Sequence, residues 1–490
     1  MGKINDENGE RIMVKSVVKT KHNRMVRFFV ALTLVLVMMA NSLSFSIASG
    51  TAPIGVEITD MYSTWAAWDI MVAESIYQLG NEGTYSNYRG AFTSAKFIPV
   101  LESIATVFNL GANAEIANTG SVTRGEVVGA LFSMISEALA LDGVVSDIDY
   151  FIEKGLIKGR ALDDYQLERI CTTEEMITFS VRVYDHISYA LGSYTSGLFW
   201  RITGENSPNT VYLFGTVHLG DSTIYPLSSA IIEAFDSSSY LAVEANVLTI
   251  SEDDIAYINQ IQLLTDGSTI KDHVSEETYE LYAAAAESYG IPQQLYDYIK
   301  PWSAFISMTQ VMMTGGEESA ISSALLGMDM YLLTKALYFG KSIIEVESIR
   351  YQMDLFDSFS QELQELLLLQ LVTPFHDDDV EVDDESSIDI SESTRAVMAY
   401  LIDAVKNGDE DALTMLMLSS RDYTSPLMSE YNNKIWDIRD ANMAEKIEEF
   451  LALQDSEGDF FVAVGAGHTV GETGIASVLA EKGYSVERVW

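Results

Sequence analysis

Two textures divide the chain by the spacing of its apolar residues. Across 52–190 they recur at helical intervals, over Trp65–Leu79, Phe97–Phe108, Val127–Leu141 and Met176–Ile187. Two of these runs open with a hydroxyl residue three places before a glutamate, Thr123 with Glu126 and Thr172 with Glu175. In that capping box each side chain satisfies the other residue's orphan amide at a helix start. From Gly197 onward short apolar runs alternate with helical ones, which predicts an α/β domain. The expected strands are Val211–Phe214, Tyr240–Val243, Ser342–Val346 and Phe460–Val464. Helices are expected over Glu276–Tyr289, Ser323–Tyr338, Ser360–Leu371, Asp437–Leu453 and Gly471–Lys482.

The amino terminus follows neither pattern. Residues 1–27 carry seven basic and three acidic side chains, and no further charge occurs before Glu57. Inside that gap Phe28–Ala40 is an almost unbroken apolar run, followed by small and polar residues ending at Ser46-Ile47-Ala48. A basic, then apolar, then small-residue order is that of a secretory signal. Residues 1–48 are therefore expected to be a signal peptide cleaved near Ala48, or a membrane anchor if retained. In either case the rest of the chain works outside the cytoplasm. Residues 52–190 and 195–490 are the two expected folding units.

Charge narrows the field. The chain holds 72 acidic and 29 basic residues, a net −43, and such a field repels nucleic-acid phosphates. Nucleic acid is excluded as a partner. A single cysteine, Cys171, rules out an internal disulfide and a cysteine-rich zinc site. Its apolar neighbourhood suggests a buried structural thiol. Export without disulfides fits the surface of a Gram-positive bacterium. The stretch 376–392 holds nine acids and no base, and reads as a solvated insertion; its run Asp377–Asp383 lacks the glycine of a calcium loop.

The residues with chemical promise stand where apolar strands end. Val211–Phe214 runs into Gly215-Thr216-Val217-His218, and Phe460–Val464 into Gly465-Ala466-Gly467-His468. Each is a buried strand followed by Gly-x-x-His. The glycine permits a turn that a side chain would block, and the histidine is delivered past the strand's carboxyl end, where open α/β sheets bind ligands. Tyr240–Val243 delivers Glu244 in the same way, and Ser342–Val346 delivers Glu347. Taken one at a time, such residues more commonly serve packing or capping. As a set they would form a mixed nitrogen and oxygen site suited to manganese, cobalt or zinc. No Gly-x-Ser-x-Gly elbow and no phosphate-cradling glycine loop occurs.

These residues resemble the TraB/GumN family, which includes the Tiki metalloproteases. Tyr212–His218 looks like its opening motif and Ala242-Val243-Glu244 like its acidic strand. Lys300-Pro301-Trp302, Gly327-Met328-Asp329, Gly340-Lys341-Ser342, Val346-Glu347-Ser348 and Gln352 track its central stretch. Gly465–His468 with Gly471-Glu472 and Gly474 resembles its closing motif. The resemblance covers 195–490 and implies a mixed α/β domain, a central sheet flanked by helices. It also implies an active centre of His218, Glu244, His468 and Arg439, with Glu347 beside them. Asp440 stands where the family usually has asparagine after that arginine, and an acid there is expected to pair with Arg439. Before this domain, Thr123-Arg124-Gly125-Glu126 and Tyr150–Gly159 with Cys171–Glu175 resemble S-layer homology repeats, an all-α region that binds anionic cell-wall polymer. Thr173 replaces the repeat's arginine in the second copy.

The resulting expectation is an exported, wall- or membrane-attached metal-dependent hydrolase that cuts peptide bonds. His218, His468 and Glu244 would hold the divalent ion, with Glu244 alternatively the general base. Arg439 would steady a developing oxyanion. The alternative is a non-catalytic surface protein that sequesters a peptide or other ligand in the same cleft.

Overall fold

A computed structural model describes residues 62–80, 87–111, 120–141, 146–159, 164–314, 323–373, 390–421, 423–454 and 458–490. The expected leader at 1–48 and nearly all of the acidic stretch 376–392 lie outside the described residues. Among those described, no helix is long and apolar enough to cross a membrane. The chain divides into two compact units, one holding Ser196–Gly220 with Ser229–Trp490 and the other Ile54–Thr195 with Asp221–Ser228.

The smaller unit is helical and is organised by a ring of three extended segments. Ala91–Thr93, Ser121–Thr123 and Ile170–Thr172 bridge one another in turn. Phe92 N–H donates to the Cys171 carbonyl at 2.8 Å, Cys171 N–H to Val122 at 2.8 Å, and Val122 N–H to Phe92 at 3.0 Å. The three side chains at these middle positions are all buried, so Cys171 is one of three equivalent core plugs. Burial pushes its thiol pKa far upward, as for an inert structural cysteine. Each segment ends in threonine and runs into a helix: Ser94–Phe108, Arg124–Ala138 and Thr173–Leu191. Both predicted capping boxes form, Thr123 with Glu126 and Thr172 with Glu175. Glu175 also meets the guanidinium groups of Arg124 and Arg169.

The larger unit is built on a six-stranded mixed sheet. Its strands are β1 (Leu198–Thr203), β2 (Val211–Thr216), β3 (Tyr240–Val243), β4 (Ser342–Glu345), β5 (Phe460–Gly465) and β6 (Ser485–Arg488). Their order is β4-β3-β5-β2-β1-β6. The four strands from β4 to β2 are parallel, while β1 pairs antiparallel with both β2 and β6. β5 lies in the middle and is buried at every position, as its unbroken apolar run requires of a strand covered on both faces. Helices Ile438–Ala452 and Met328–Phe339 pack on the sheet, the first against β2 and the second against β3 and β4.

The four expected strands are the four parallel ones. β1 and β6 escape the apolar pattern because β1 carries an exposed Arg201 and β6 alternates exposed Ser485 and Glu487 with half-buried neighbours. A short charged edge strand such as β6 resists pairing with another chain and carries little hydrophobic signal. Replacing Thr123 or Thr172 by alanine removes one reciprocal cap and should lower stability by about 1 kcal/mol each in urea unfolding. An unchanged midpoint in both variants would show that the caps contribute nothing.

Candidate functional site

Parallel pairing of β2 with β5 sets the site. The register runs from Val211 opposite Phe460 to Thr216 opposite Gly465. The two Gly-x-x-His turns therefore leave adjacent strands within one residue of the same level, although their histidines are 250 residues apart in the chain. Gly215 suits this closeness. A Cβ there would lie 3.0 Å from the Ala466 Cα and 3.1 Å from Thr469 Oγ1. His218 is 4% exposed and His468 fully buried, the latter in a single helical turn, Ala466–His468.

Each imidazole meets a carboxylate brought by a different helix. Asp329, in the first turn of Met328–Phe339, places Oδ2 2.7 Å from His218 Nδ1, an ion-pair approach lying off the hydrogen-bond axis. Thr216 Oγ1 donates to the other oxygen of Asp329 at 2.8 Å. The helix start is docked on the strand end, since Met328 N–H donates to the Val217 carbonyl at 2.9 Å. Gly327 makes that docking possible, because a Cβ there would meet the His218 carbonyl oxygen at 2.2 Å. His468 Nδ1 pairs with Oδ1 of Asp440, from Ile438–Ala452. Arg421 Nη2 stands 3.6 Å from the second oxygen of Asp440, and the Trp436 ring lies 5.0 Å from the His468 ring. The Nε2 atoms of His218 and His468 are buried without a hydrogen-bond partner.

Charge separates the two rings. Burial works against protonating His218, but the Asp329 carboxylate outweighs it and raises its pKa above the usual value. Burial, with the positive charges of Arg439 and Arg421, holds His468 well below the ordinary histidine range. Burial also drives Asp440 well upward, against the pull of Arg421 and Arg439.

The carboxylates from β3 and β4 form the second half of the site. Beyond the strands the ladder continues for two hydrogen bonds, Val346 N–H to the Val243 carbonyl at 2.8 Å and Glu347 N–H to Glu244 at 3.0 Å. Arg439 closes the pair. Its Nε donates to Glu347 Oε1 at 2.8 Å, and Nη2 donates to Glu347 Oε2 and Glu244 Oε2, each at 2.7 Å. Gln352 Nε2 donates to both glutamates, at 3.2 and 3.0 Å, and Gly465 N–H donates to Glu244 Oε1 at 2.6 Å. A π-turn at Asn433–Asp437 immediately precedes Ile438–Ala452, the helix that sends Arg439 to the glutamates and Asp440 to His468. Arg439 is fully buried, and the charges of Glu347 and Glu244 overcome its desolvation to raise its pKa. Burial raises the pKa of Glu244, opposed by Arg439 and His218.

All five expected residues, His218, Glu244, Glu347, Arg439 and His468, thus stand at the carboxyl edge of the parallel strands. The expected pairing of Asp440 with its neighbour Arg439 is replaced by the contacts just described. Among the described residues no three His, Cys, Asp or Glu side chains form a group that could hold a metal ion. The bare, buried Nε2 atoms fit a transition ion as nitrogen donors. Glu244 fits less directly, since both its oxygens already accept hydrogen bonds. Asp329, Gln352 and Arg421 are further members that spacing alone did not assign. Trp302 of the Lys300-Pro301-Trp302 landmark is structural: it is fully buried, and its indole N–H donates to Asp357 at 2.9 Å.

Fold and site together define an α/β protein with a buried histidine and carboxylate centre at the edge of a mixed sheet. The TraB/PrgY/gumN family profile matches residues 198–488, more than half the chain, and the protein belongs to that family. No curated protein and no solved structure matches the chain.

Replacing Arg439 by methionine leaves two buried carboxylates facing each other without a counter-charge. Unfolding free energy should fall by about 3–5 kcal/mol in urea titration. Adding Glu244→Gln and Glu347→Gln should restore part of it; no recovery would mean the arginine acts only through packing.

Proposed function

We propose that the protein is an exported metal-dependent hydrolase acting on peptide bonds. The observation that carries this reading is the pair of buried imidazoles on adjacent strand ends, each with Nδ1 against an aspartate and Nε2 without a partner. His218 and His468 would hold a divalent ion such as manganese, cobalt or zinc. Glu244 would add an oxygen through a remaining lone pair. When bound, such an ion polarises a carbonyl and acidifies a water.

The chain's own residues account for the rest. Where Glu244 does not hold the ion it is the proton carrier, and Gly465 N–H and Gln352 fix its orientation. Arg439 keeps Glu244 and Glu347 together, and through its charge it would favour a developing oxyanion. The basic, apolar and small-residue order of 1–48 supports export. The capped helices of the smaller unit, with their likeness to wall-binding repeats, support attachment to an anionic wall polymer.

His218→Ala and His468→Ala should each abolish manganese or cobalt retention and metal-dependent cleavage of a peptide library, with an unchanged circular-dichroism spectrum. Wild-type metal binding in both variants would overturn the reading. Intact peptide retained by the wild-type protein without metal would instead support sequestration.

A further inference from the structure

We infer that Asp329 and Asp440 are positioning residues that hold both imidazoles as Nδ1–H tautomers, leaving the Nε2 lone pairs as the ligand-facing atoms. The inference deepens the proposed function and rests on it for the identity of the ligand. Neither aspartate lies on the strand or turn of the histidine it serves. Asp329 comes from Met328–Phe339 and is held from a second side by Thr216. Asp440 comes from Ile438–Ala452 and has Arg421 at its far oxygen. Two unrelated helices thus place a carboxylate at the same ring atom of two histidines, Asp440 in hydrogen-bond geometry and Asp329 at 2.7 Å but off the hydrogen-bond axis. In both cases the opposite ring nitrogen is buried and bare. One such pair would be an ordinary way to satisfy a buried histidine. A second pair on the neighbouring strand, with the same nitrogen left open, is what a two-imidazole ligand site requires.

The backbone is adapted to this arrangement on the Asp329 side. Gly327 lets the start of its helix touch the His218 carbonyl, and Met328 N–H fixes the contact. A carboxylate in the first turn of that helix also sits favourably in the helix dipole. Around Asp440 the neighbour is Arg421, 8% exposed at its side chain, whose charge pulls against the effect of burial on the acid. An acceptor at Nδ1 of a ligating histidine fixes ring orientation and raises the basicity of the other nitrogen.

The test uses the full-length chain and two readouts. In metal-free wild-type protein at pH 8, ring ¹⁵N shifts should report His218 and His468 as Nδ1–H tautomers, and this needs no variant to fold. Asp329→Ala and Asp440→Ala should shift the matching ring towards the Nε2–H form. In isothermal titration with cobalt(II) alone, each should weaken binding about 10–100-fold. Asp329→Asn and Asp440→Asn should recover part of that loss, since an amide oxygen still accepts from Nδ1–H. Nε2–H tautomers in the wild-type protein would overturn the inference. So would aspartate variants that bind cobalt like wild type while His218→Ala and His468→Ala lose it, a result that leaves the proposed function standing. Cobalt binding unchanged by the histidine exchanges would defeat the function, and the tautomers would still decide the positioning role.

Discussion

The parallel pairing of β2 with β5 is the constraint on which the site depends. It converts a separation of 250 residues into one strand spacing and turns both Gly-x-x-His motifs off the sheet within one residue of the same level. The pairing needs both strands apolar on both faces, and Val211, Leu213, Phe214 and all of Phe460–Val464 are buried. Gly215 suits it as well, since a Cβ there would sit tightly, 3.0 Å from the Ala466 Cα of the second turn. The same residues therefore serve the core and position the site.

Around that pair the polar groups are arranged in two blocks joined by one helix. Ile438–Ala452 sends Arg439 to the glutamates of β3 and β4, and the next residue, Asp440, to His468. Burying four carboxylates and an arginine costs far more desolvation than surface ion pairs would. Their mutual hydrogen bonds offset that cost only while the set stays complete. The Glu244–Glu347–Arg439–Gln352 group has every member engaged with another, whereas the histidine group leaves three ring nitrogens without a hydrogen bond, both of His218 and Nε2 of His468. The first is internally paired, and the second keeps polar atoms open at the strand ends.

Much of this was legible in the sequence, and what was hidden has physical reasons. Four apolar runs named the four parallel strands because a buried parallel strand shows little polar interruption. The residues at their carboxyl ends, His218, Glu244, Glu347 and His468, followed from the topology rule for open sheets. β1 was hidden because the exposed Arg201 interrupts a short, mostly buried run, and β6 because it alternates exposed Ser485 and Glu487 with half-buried neighbours. Asp329 and Gln352 lie in motifs of the family resemblance, but a carboxylate or amide on a helix has no periodicity that reveals its partner. Asp440 misled for the same reason. Adjacent residues on a helix point about 100° apart, so a neighbour of Arg439 is well placed to serve a different side chain.

The most direct check is a crystal of the full chain grown with cobalt(II) and measured at the metal's absorption edge. The account predicts one strong anomalous peak within coordination distance of both Nε2 atoms, those of His218 and His468. A peak at any other place, or none while either ring nitrogen is turned into packed hydrocarbon, would contradict it.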